Sequence, residues 1–443
     1  MNNIVDYYYT ILFNNLFSYS LLFLYITNEQ YCRIVINNNT MILKDELSEI
    51  IRRQKEEISR LELGTIRTKL NDIAFASNHA IIITGIRRSG KSTLLKQIFS
   101  RIKSFNYLNF EDIRLTSFTV EDFPKLFELF NETSKSEYYF FDEIQNIPGW
   151  EKFIRELIDK KKKVILTGSN ASMLSRELGT KLTGRHLRYE LFPFSYNEFL
   201  SYTKSSNSLN SFGKYFESGG FPEYLSSNNN QILQELFRDI IERDIIVRYK
   251  IRHTKLLKEL AIYLLTNAGR EFSYQSLRKI FNLSSPNTII SAVGYFEECY
   301  LFFVVHKFDY SYRKQLINQK KLYSIDLAFI RANTSSLNKD SGPLFENLIF
   351  LNLKSKYNEV FYYKDSRECD FITKDNNNKL RAFQVCYNLT QENKDREIEG
   401  LVEALNYIKS EKGVIITYSQ EDNFKIDEKN IEVVPAYKWM TEN

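Results

Sequence analysis

The stretch HAIIITGIRRSGKSTLL, residues 79–95, decides how the rest of this 443-residue chain is read. Its apolar run Ala80–Ile83 leads into Gly85 as a buried strand leads into a turn, and the residues from Lys91 onward read as a helix. Between them, Gly85-Ile86-Arg87-Arg88-Ser89-Gly90-Lys91-Ser92 satisfies G-x-x-x-x-G-K-[ST] at every fixed position. Two glycines let the backbone wrap a phosphate, and successive N–H groups with the helix N-terminus favour its negative charge. In such a loop Lys91 reaches the β- and γ-phosphates and the Ser92 hydroxyl ligates Mg²⁺. Gly85, Arg88, Ser89, Gly90, Lys91, Ser92 and Thr93 are the candidate nucleotide-binding residues, with ATP and Mg²⁺ as the expected ligands.

Outward from the loop, three more runs read as strands: NYLNFED (106–112), EYYFFDEI (137–144) and KVILTGSN (163–170). They alternate with helical stretches, which implies a parallel sheet with helices on both faces and ligands bound at the carboxyl ends of its strands. Asp142 ends one apolar strand and is the candidate metal-holding carboxylate, beside Ser92. Glu143 follows as the candidate that activates the attacking water. At the end of the next strand, Ser169 or Asn170 is placed to hydrogen-bond that water or the γ-phosphate.

Bulk properties exclude several classes. With 43% hydrophobic and 26% charged residues the composition is globular, and the net charge of +5 does not by itself mark a nucleic-acid binder. Cys32, Cys299, Cys369 and Cys386 are unpaired in spacing, and His79, His186, His253 and His306 are scattered, so neither a disulfide framework nor a histidine metal site is expected. A reducing, cytoplasmic setting fits this pattern. Residues 1–40 are expected to be dispensable, with Met41 as the natural start of a charged amphipathic helix. The competing reading is a membrane anchor over the uncharged residues 7–27.

Beyond the loop KSSNSLN (204–210) and the turn GGFPEYL (219–225), three helical stretches and two strand-like runs, LFFVVHKF and KKLYSIDLAFI, read as a winged helix. Its second helix carries no Lys or Arg between Pro286 and Tyr300, has Glu297 and Glu298, and offers Asn287 as its main base-reading side chain. The expected wing is basic, with Lys307, Arg313, Lys314, Lys320 and Lys321 around Tyr310 and Tyr312, which suits phosphate contact with DNA. In the tail, Glu346, Asp370 and Gln384 follow the order of the PD-(D/E)XK nuclease fold, which they resemble; Cys386 stands where that family keeps a lysine.

The segments TGIRRSGKSTLL, YLNFED, FFDEI, LTGSNASMLSRELGTKLTGRHLRYELFPFSYNEFL, GGFPEYL and LFRDIIERDIIVRY together resemble the prokaryotic AAA+-like ATPases of the archaeal-ATPase group. The resemblance covers the chain from Met41 on. It implies a P-loop core over 41–203, a helical lid over 204–253, a winged helix over 254–335 and a small α/β, restriction-nuclease-like domain over 336–443. It also implies that Arg185 meets the γ-phosphate of a neighbouring subunit, hence a homo-oligomer, and it offers Arg243 as a weaker sensing arginine. The expectation is an ATP-hydrolysing engine that acts on DNA or a nucleic-acid complex; the alternative is a nucleotide-gated switch or scaffold for protein partners with an inactive tail.

Overall fold

The computed structural model describes residues 42–75, 79–170, 184–334 and 341–442. The segment 1–40, with its expected anchor at 7–27, lies outside the described residues. Five strands form the first sheet: β1 (Ala80–Thr84), β2 (Asn106–Asn109), β3 (Tyr138–Asp142), β4 (Lys163–Gly168) and β5 (His186–Glu190). Their order is β2-β3-β4-β1-β5 and every neighbouring pair is parallel.

Side chains alternate across this sheet because successive strand residues point to opposite faces. Ile81, Ile83, Phe140 and Ile165 pack on Leu94, Leu95 and Ile98 of the helix Lys91–Phe99. Ile82, Tyr139, Phe141 and Leu166 pack on the helices Lys44–Arg60, Phe123–Thr133 and Glu151–Asp159. Both faces are covered, which is why these strands read as unbroken apolar runs. Parallel strands share one carboxyl edge, so Thr84, Asp142 and Gly168 end beside the loop that follows β1.

Four helices follow, Tyr196–Thr203, Leu209–Ser218, Pro222–Ser227 and Asn230–Asp239, and the last runs on into a π-helix over Ile240–Val247. The GGFPEYL turn is pinned from a distance. The Gly220 N–H donates to Asp326 at 2.7 Å, and the other oxygen of Asp326 accepts from the Ala328 and Phe329 N–H groups.

The middle module has helices Thr254–Thr266, Tyr274–Ile280 and Asn287–Glu298. Its antiparallel sheet, ordered β6-β8-β7, is built from β6 (Glu271–Phe272), β7 (Phe302–His306) and β8 (Lys320–Ser324). Two expectations are corrected here. KKLYSIDLAFI is a strand only as far as Ser324; Asp326 then caps a new helix, Leu327–Asn333, because its carboxylate satisfies that helix's first N–H groups. Lys320 and Lys321, expected on an exposed wing, are only 6% and 3% exposed. They sit on the central strand: Lys320 Nζ donates to the carbonyls of Leu316 and Asn318, and Lys321 reaches into the tail.

The C-terminal module pairs helix Ser341–Lys356 with a six-stranded mixed sheet ordered β13-β14-β12-β11-β10-β9. Its strands are β9 (Glu359–Lys364), β10 (Glu368–Lys374), β11 (Leu380–Cys386), β12 (Lys412–Thr417), β13 (Asp422–Ile426) and β14 (Lys429–Pro435). Helix Lys394–Ile408 covers the other face through Ile398, Leu401 and Leu405. A single buried cluster joins Phe212 and Phe216 of the helix Leu209–Ser218, Leu264 and Phe296 of the middle module, and Phe345 and Phe371 of the tail. Motion in any of these parts is therefore felt by its neighbours, since close-packed interiors transmit strain. Among the described residues no helix is long and apolar enough to cross a membrane.

Candidate nucleotide-binding site

The loop after β1 is tightly braced. A Cβ on Gly85 would lie 2.1 Å from the carbonyl oxygen of Leu191, so no larger residue fits there. Gly90 begins the helix Lys91–Phe99 with φ of 93°, a left-handed conformation that glycine adopts at little cost. Lys91 is 6% exposed, and its Nζ donates to the carbonyls of Gly85 (3.1 Å) and Ile86 (3.2 Å). Ser89 is fully buried, and its Oγ has no hydrogen-bond partner among the described residues. Thr93 lies one residue beyond Ser92 on the same helix. A buried orphan hydroxyl, a buried ammonium and a helix N-terminus fit a phosphate.

The acids Asp142 and Glu143 lie beside the loop. Ser92 Oγ donates to Asp142 Oδ2 at 3.1 Å, and Asp142 also accepts from Thr167 and, at 3.4 Å, from the Tyr107 hydroxyl. Burial, helped by the neighbouring Glu143 charge, pushes the Asp142 carboxyl above its ordinary range; Thr167, Lys91 and Ser92 oppose this. Glu143 stands at φ of 51°, in the left-handed region, and its backbone N–H donates to Thr167 Oγ1. Its Oε1 lies 3.7 Å from Lys91 Nζ, and its Oε2 accepts from Gln145, the Ser169 N–H and Ser169 Oγ. Burial acts to raise the Glu143 carboxyl, but Lys91, Gln145, Arg87 and the Ser169 N–H outweigh it and hold it below the ordinary range. The result is an ionised carboxylate beside a hydroxyl–carboxylate pair suited to a hard cation.

Other sequence candidates fall in less expected places. Arg87 and Arg88 point to acids rather than into the loop. Arg87 pairs with Glu111 (2.7 Å) and with Asp244 (3.1 Å) of the π-helix, and Arg88 with Glu223 (3.2 Å) and Asp239 (3.7 Å). Asn170 is 1% exposed and donates to the Tyr249 hydroxyl at 3.1 Å; Tyr249 in turn donates to Glu298 at the end of the helix Asn287–Glu298. Thr84, the last residue before the loop, bonds the Tyr300 hydroxyl at 2.5 Å. The middle module thus touches the nucleotide loop at two points. Arg185 lies at the other end of the sheet, where its carbonyl accepts from the Ala80 N–H and its guanidinium pairs with Asp159 on the surface.

Three residues were not singled out by sequence reasoning. Arg67 is 2% exposed; it pairs with Glu198 at 3.0 Å and donates to the carbonyls of Ser89 and Phe192, tying the loop to the helix Tyr196–Thr203. Asp244, the acid on Arg87, sits in the π-helix, an irregularity often found at functional sites. Arg243 itself is exposed, whereas Arg248, five residues on, has Nη1 buried with no hydrogen-bond partner among the described residues. The charge of Arg248 bears on Cys299, which lies 4.0 Å from Asn170 Nδ2.

In the tail, Glu346 and Asp370 do come together, but around an ammonium. Lys321 Nζ lies 2.8 Å from Glu346, 2.7 Å from Glu368 and 3.4 Å from Asp370. Tyr323 OH also donates to Glu346, and Asp370 Oδ2 accepts from the Val385 N–H. Gln384 spends its oxygen on the Asp370 N–H and its amide hydrogens on Glu397. Cys386 is buried, and burial raises its thiol to about 11. Among the described residues no group of three or more His, Cys, Asp and Glu side chains is arranged to hold a metal ion. The lysine missing at position 386 is replaced from another module, but at the centre of the acids.

A parallel sheet with a glycine loop, a lysine opening the next helix and a strand-end acid pair at its carboxyl edge defines the P-loop class. Residues 77–200 match the model of the AAA domain family, so the chain carries an AAA-type ATPase domain. Residues 209–340 and 341–439 match two domains of unknown function, DUF8612 and DUF4143. The chain belongs to the same family as an uncharacterized protein of Methanocaldococcus jannaschii, with which it is 33% identical over 401 residues, or 83% of this chain and 89% of that one. An uncharacterized Haemophilus influenzae protein is 28% identical over 382 residues, covering 81% and 93% of the two chains. Among solved structures, distant likenesses include the replication initiator DnaA bound to AMPPCP and single-stranded DNA. It shows 17% identity and TM-score 0.26, covering 58% of this chain and 93% of that one. AMPPCP-bound DnaA from Aquifex aeolicus shows 14% identity and TM-score 0.27, covering 59% and 90%.

Proposed function

We propose that this chain is a Mg²⁺-dependent, ATP-binding ATPase that converts hydrolysis into movement of its lid and middle module, acting on DNA or a nucleic-acid complex. The observation that carries the reading is the grouping of Lys91, Ser92, Asp142 and Glu143 at one sheet edge. Lys91 would leave the Gly85 and Ile86 carbonyls for phosphate oxygens, and Ser92 with Asp142 would hold the cation. Mg²⁺ supplies charge neutralisation at the β- and γ-phosphate oxygens when bound. Glu143, kept ionised, orients a water and accepts its proton.

The lid contacts support coupling. Arg87 and Arg88 are held by Asp244, Asp239 and Glu223, so a phosphate in the loop competes with the lid acids for the same guanidinium groups. Asn170 and Thr84 carry the loop's state to Glu298 and Tyr300 of the middle module, which we read as a winged helix. Arg185, which pairs with Asp159 on the surface, would serve a neighbouring subunit's phosphate.

A second reading, a nucleotide-gated switch for protein partners with an inactive tail, is favoured by one observation. Lys321 occupies the centre of the acidic cluster where a nuclease-like module would hold its metal. Steady-state hydrolysis separates engine from inert binder. Glu143→Gln is expected to retain nucleotide and lose at least about 100-fold in turnover, the usual scale for a lost general base. Undiminished turnover in that variant overturns the assignment.

A further inference from the structure

The expected basic wing has lost two of its lysines to the interior, which leaves the question of where this molecule carries uncompensated positive charge. The C-terminal module answers it. A groove of about 1020 Å³ runs across the amino-terminal ends of β11, β12 and β14, beside the end of the helix Ser341–Lys356. Lys356, Lys379, Arg381, Lys409, Lys412 and Lys425 line it, against two acids, Glu411 and Glu432. All six cations are exposed, and among the described residues none of them forms an ion pair. Arg381 only touches the Tyr357 hydroxyl at 3.5 Å, and Lys356 donates to the Asn352 side chain.

This arrangement differs from an ordinary solvated surface, and two comparisons show how. Neighbouring cations of the same module are answered by acids, as Lys374 is by Glu359 and Lys438 by Glu421. Here the charges come from two helix ends and three strands that meet in one concave trough, so their repulsion is built in by the fold. Low-dielectric walls around such a trough focus the field outward. The walls also carry rings: Tyr357 and Phe424 are half-buried with an accessible side, and Trp439 lies beneath Lys356 at 5.1 Å.

We propose that this groove binds single-stranded nucleic acid, its lysines and Arg381 tracking the phosphodiester backbone while Phe424 and Tyr357 stack bases. Cations along a trough with interleaved rings are the combination by which proteins hold unpaired strands without reading sequence. A duplex, broad and convex with its bases turned inward, offers nothing to rings on the wall of a trough. The groove lies in the module whose acid cluster is filled by Lys321, so it serves as a holding surface and not as a cleavage site. The inference rests on the nucleic-acid reading of the proposed function and names the surface that reading needs.

Fluorescence anisotropy with the full chain tests it, using a labelled 30-nucleotide mixed-sequence DNA strand and the same strand annealed to its complement. Wild type is expected to prefer the single strand. The triple variant Lys379→Glu/Arg381→Glu/Lys412→Glu is expected to bind at least tenfold more weakly at 0.1 M salt. Its log–log salt slope should be shallower by about 2, since each neutralised phosphate contributes about 0.7 for a single strand. All three sites are exposed, so circular dichroism should show an intact fold, and Arg313→Glu/Lys314→Glu on the wing should bind within about twofold of wild type. Preference for the duplex, equal binding by the triple variant, or loss carried by the wing variant overturns the groove assignment alone. No binding of either DNA by wild type overturns it together with the nucleic-acid reading.

Discussion

Two buried lysines in this chain face carboxylates, and they are seated in opposite ways. Lys91 rests on two loop carbonyls, with Glu143 at 3.7 Å, beside an orphan Ser89 hydroxyl. Lys321 is enclosed by Glu346, Glu368 and Asp370 at 2.7–3.4 Å and is 3% exposed. The first site leaves a buried hydroxyl without a partner among the described residues, and its ammonium rests mainly on carbonyls. In the second the ammonium is already ion-paired with acids from the tail. Nearly the same inventory, a lysine and two or three acids, gives a ligand site in one sheet and a structural clasp in the other. What decides is whether the ammonium arrives from the loop itself or from a different module.

The comparison is broken most forcefully at Lys321. Lys321→Met leaves Glu346 and the buried Asp370 without a cation while Glu368 keeps Lys364 at 3.2 Å, and the expected loss is about 3–5 kcal/mol, the scale for removing one partner of a buried pair. Urea unfolding measures it, and adding Glu346→Gln should restore part of the loss. A change below about 1 kcal/mol would show that the clasp does not hold the middle module to the tail.

A pH measurement sharpens the picture of the middle module. Glu297 is largely buried and its carboxyl is raised to about 7, first by burial; the Val304 N–H and Lys354 oppose the shift and Glu298 adds to it. A raised carboxyl favours the folded state while it is protonated, below about pH 4.5, and that contribution fades as pH climbs through about 7. Glu297→Gln removes the loss. The variant should be more stable than wild type by about 1–2 kcal/mol at pH 8, with the gap narrowing toward pH 5. Parallel stability–pH curves for the two proteins would contradict the shift.

The smallest expected effect is at the link between site and module. Tyr249→Phe keeps the ring stack on Tyr295, at 4.1 Å, but deprives Asn170 of its acceptor and Glu298 of its donor. About 1 kcal/mol of stability should go with these bonds. ATP binding should persist while turnover falls severalfold, read in a coupled phosphate assay.

How much of this was legible in the sequence depends on how far apart the partners lie. The loop, the FFDE strand end and the parallel sheet were readable because each is a contiguous pattern whose spacing is imposed by strand and helix geometry. The turn GGFPEYL was visible as punctuation, but its partner Asp326 lies 106 residues on, and the same acid ends a run that reads as strand. Arg67–Glu198, across 131 residues, and Lys321–Asp370 carry no local signature. A lysine beside a strand looks the same in sequence whether it faces water or a carboxylate cluster, so charge on the expected wing was overcounted. Arg248 rather than Arg243 faces inward because helical phase, altered by the π-turns, sets the direction of each side chain.

The central claim is that the loop of Lys91 is the site that takes charge from outside and the cluster of Lys321 is not. Thermal unfolding with and without ATP and Mg²⁺ tests it directly in wild type, Lys91→Ala and Lys321→Met. Wild type should gain stability, about 2.7 kcal/mol at a hundredfold excess over Kd. Lys321→Met should show the same gain from a lower baseline, and Lys91→Ala none. A full ATP-induced shift in Lys91→Ala, or its loss in Lys321→Met, would contradict the account.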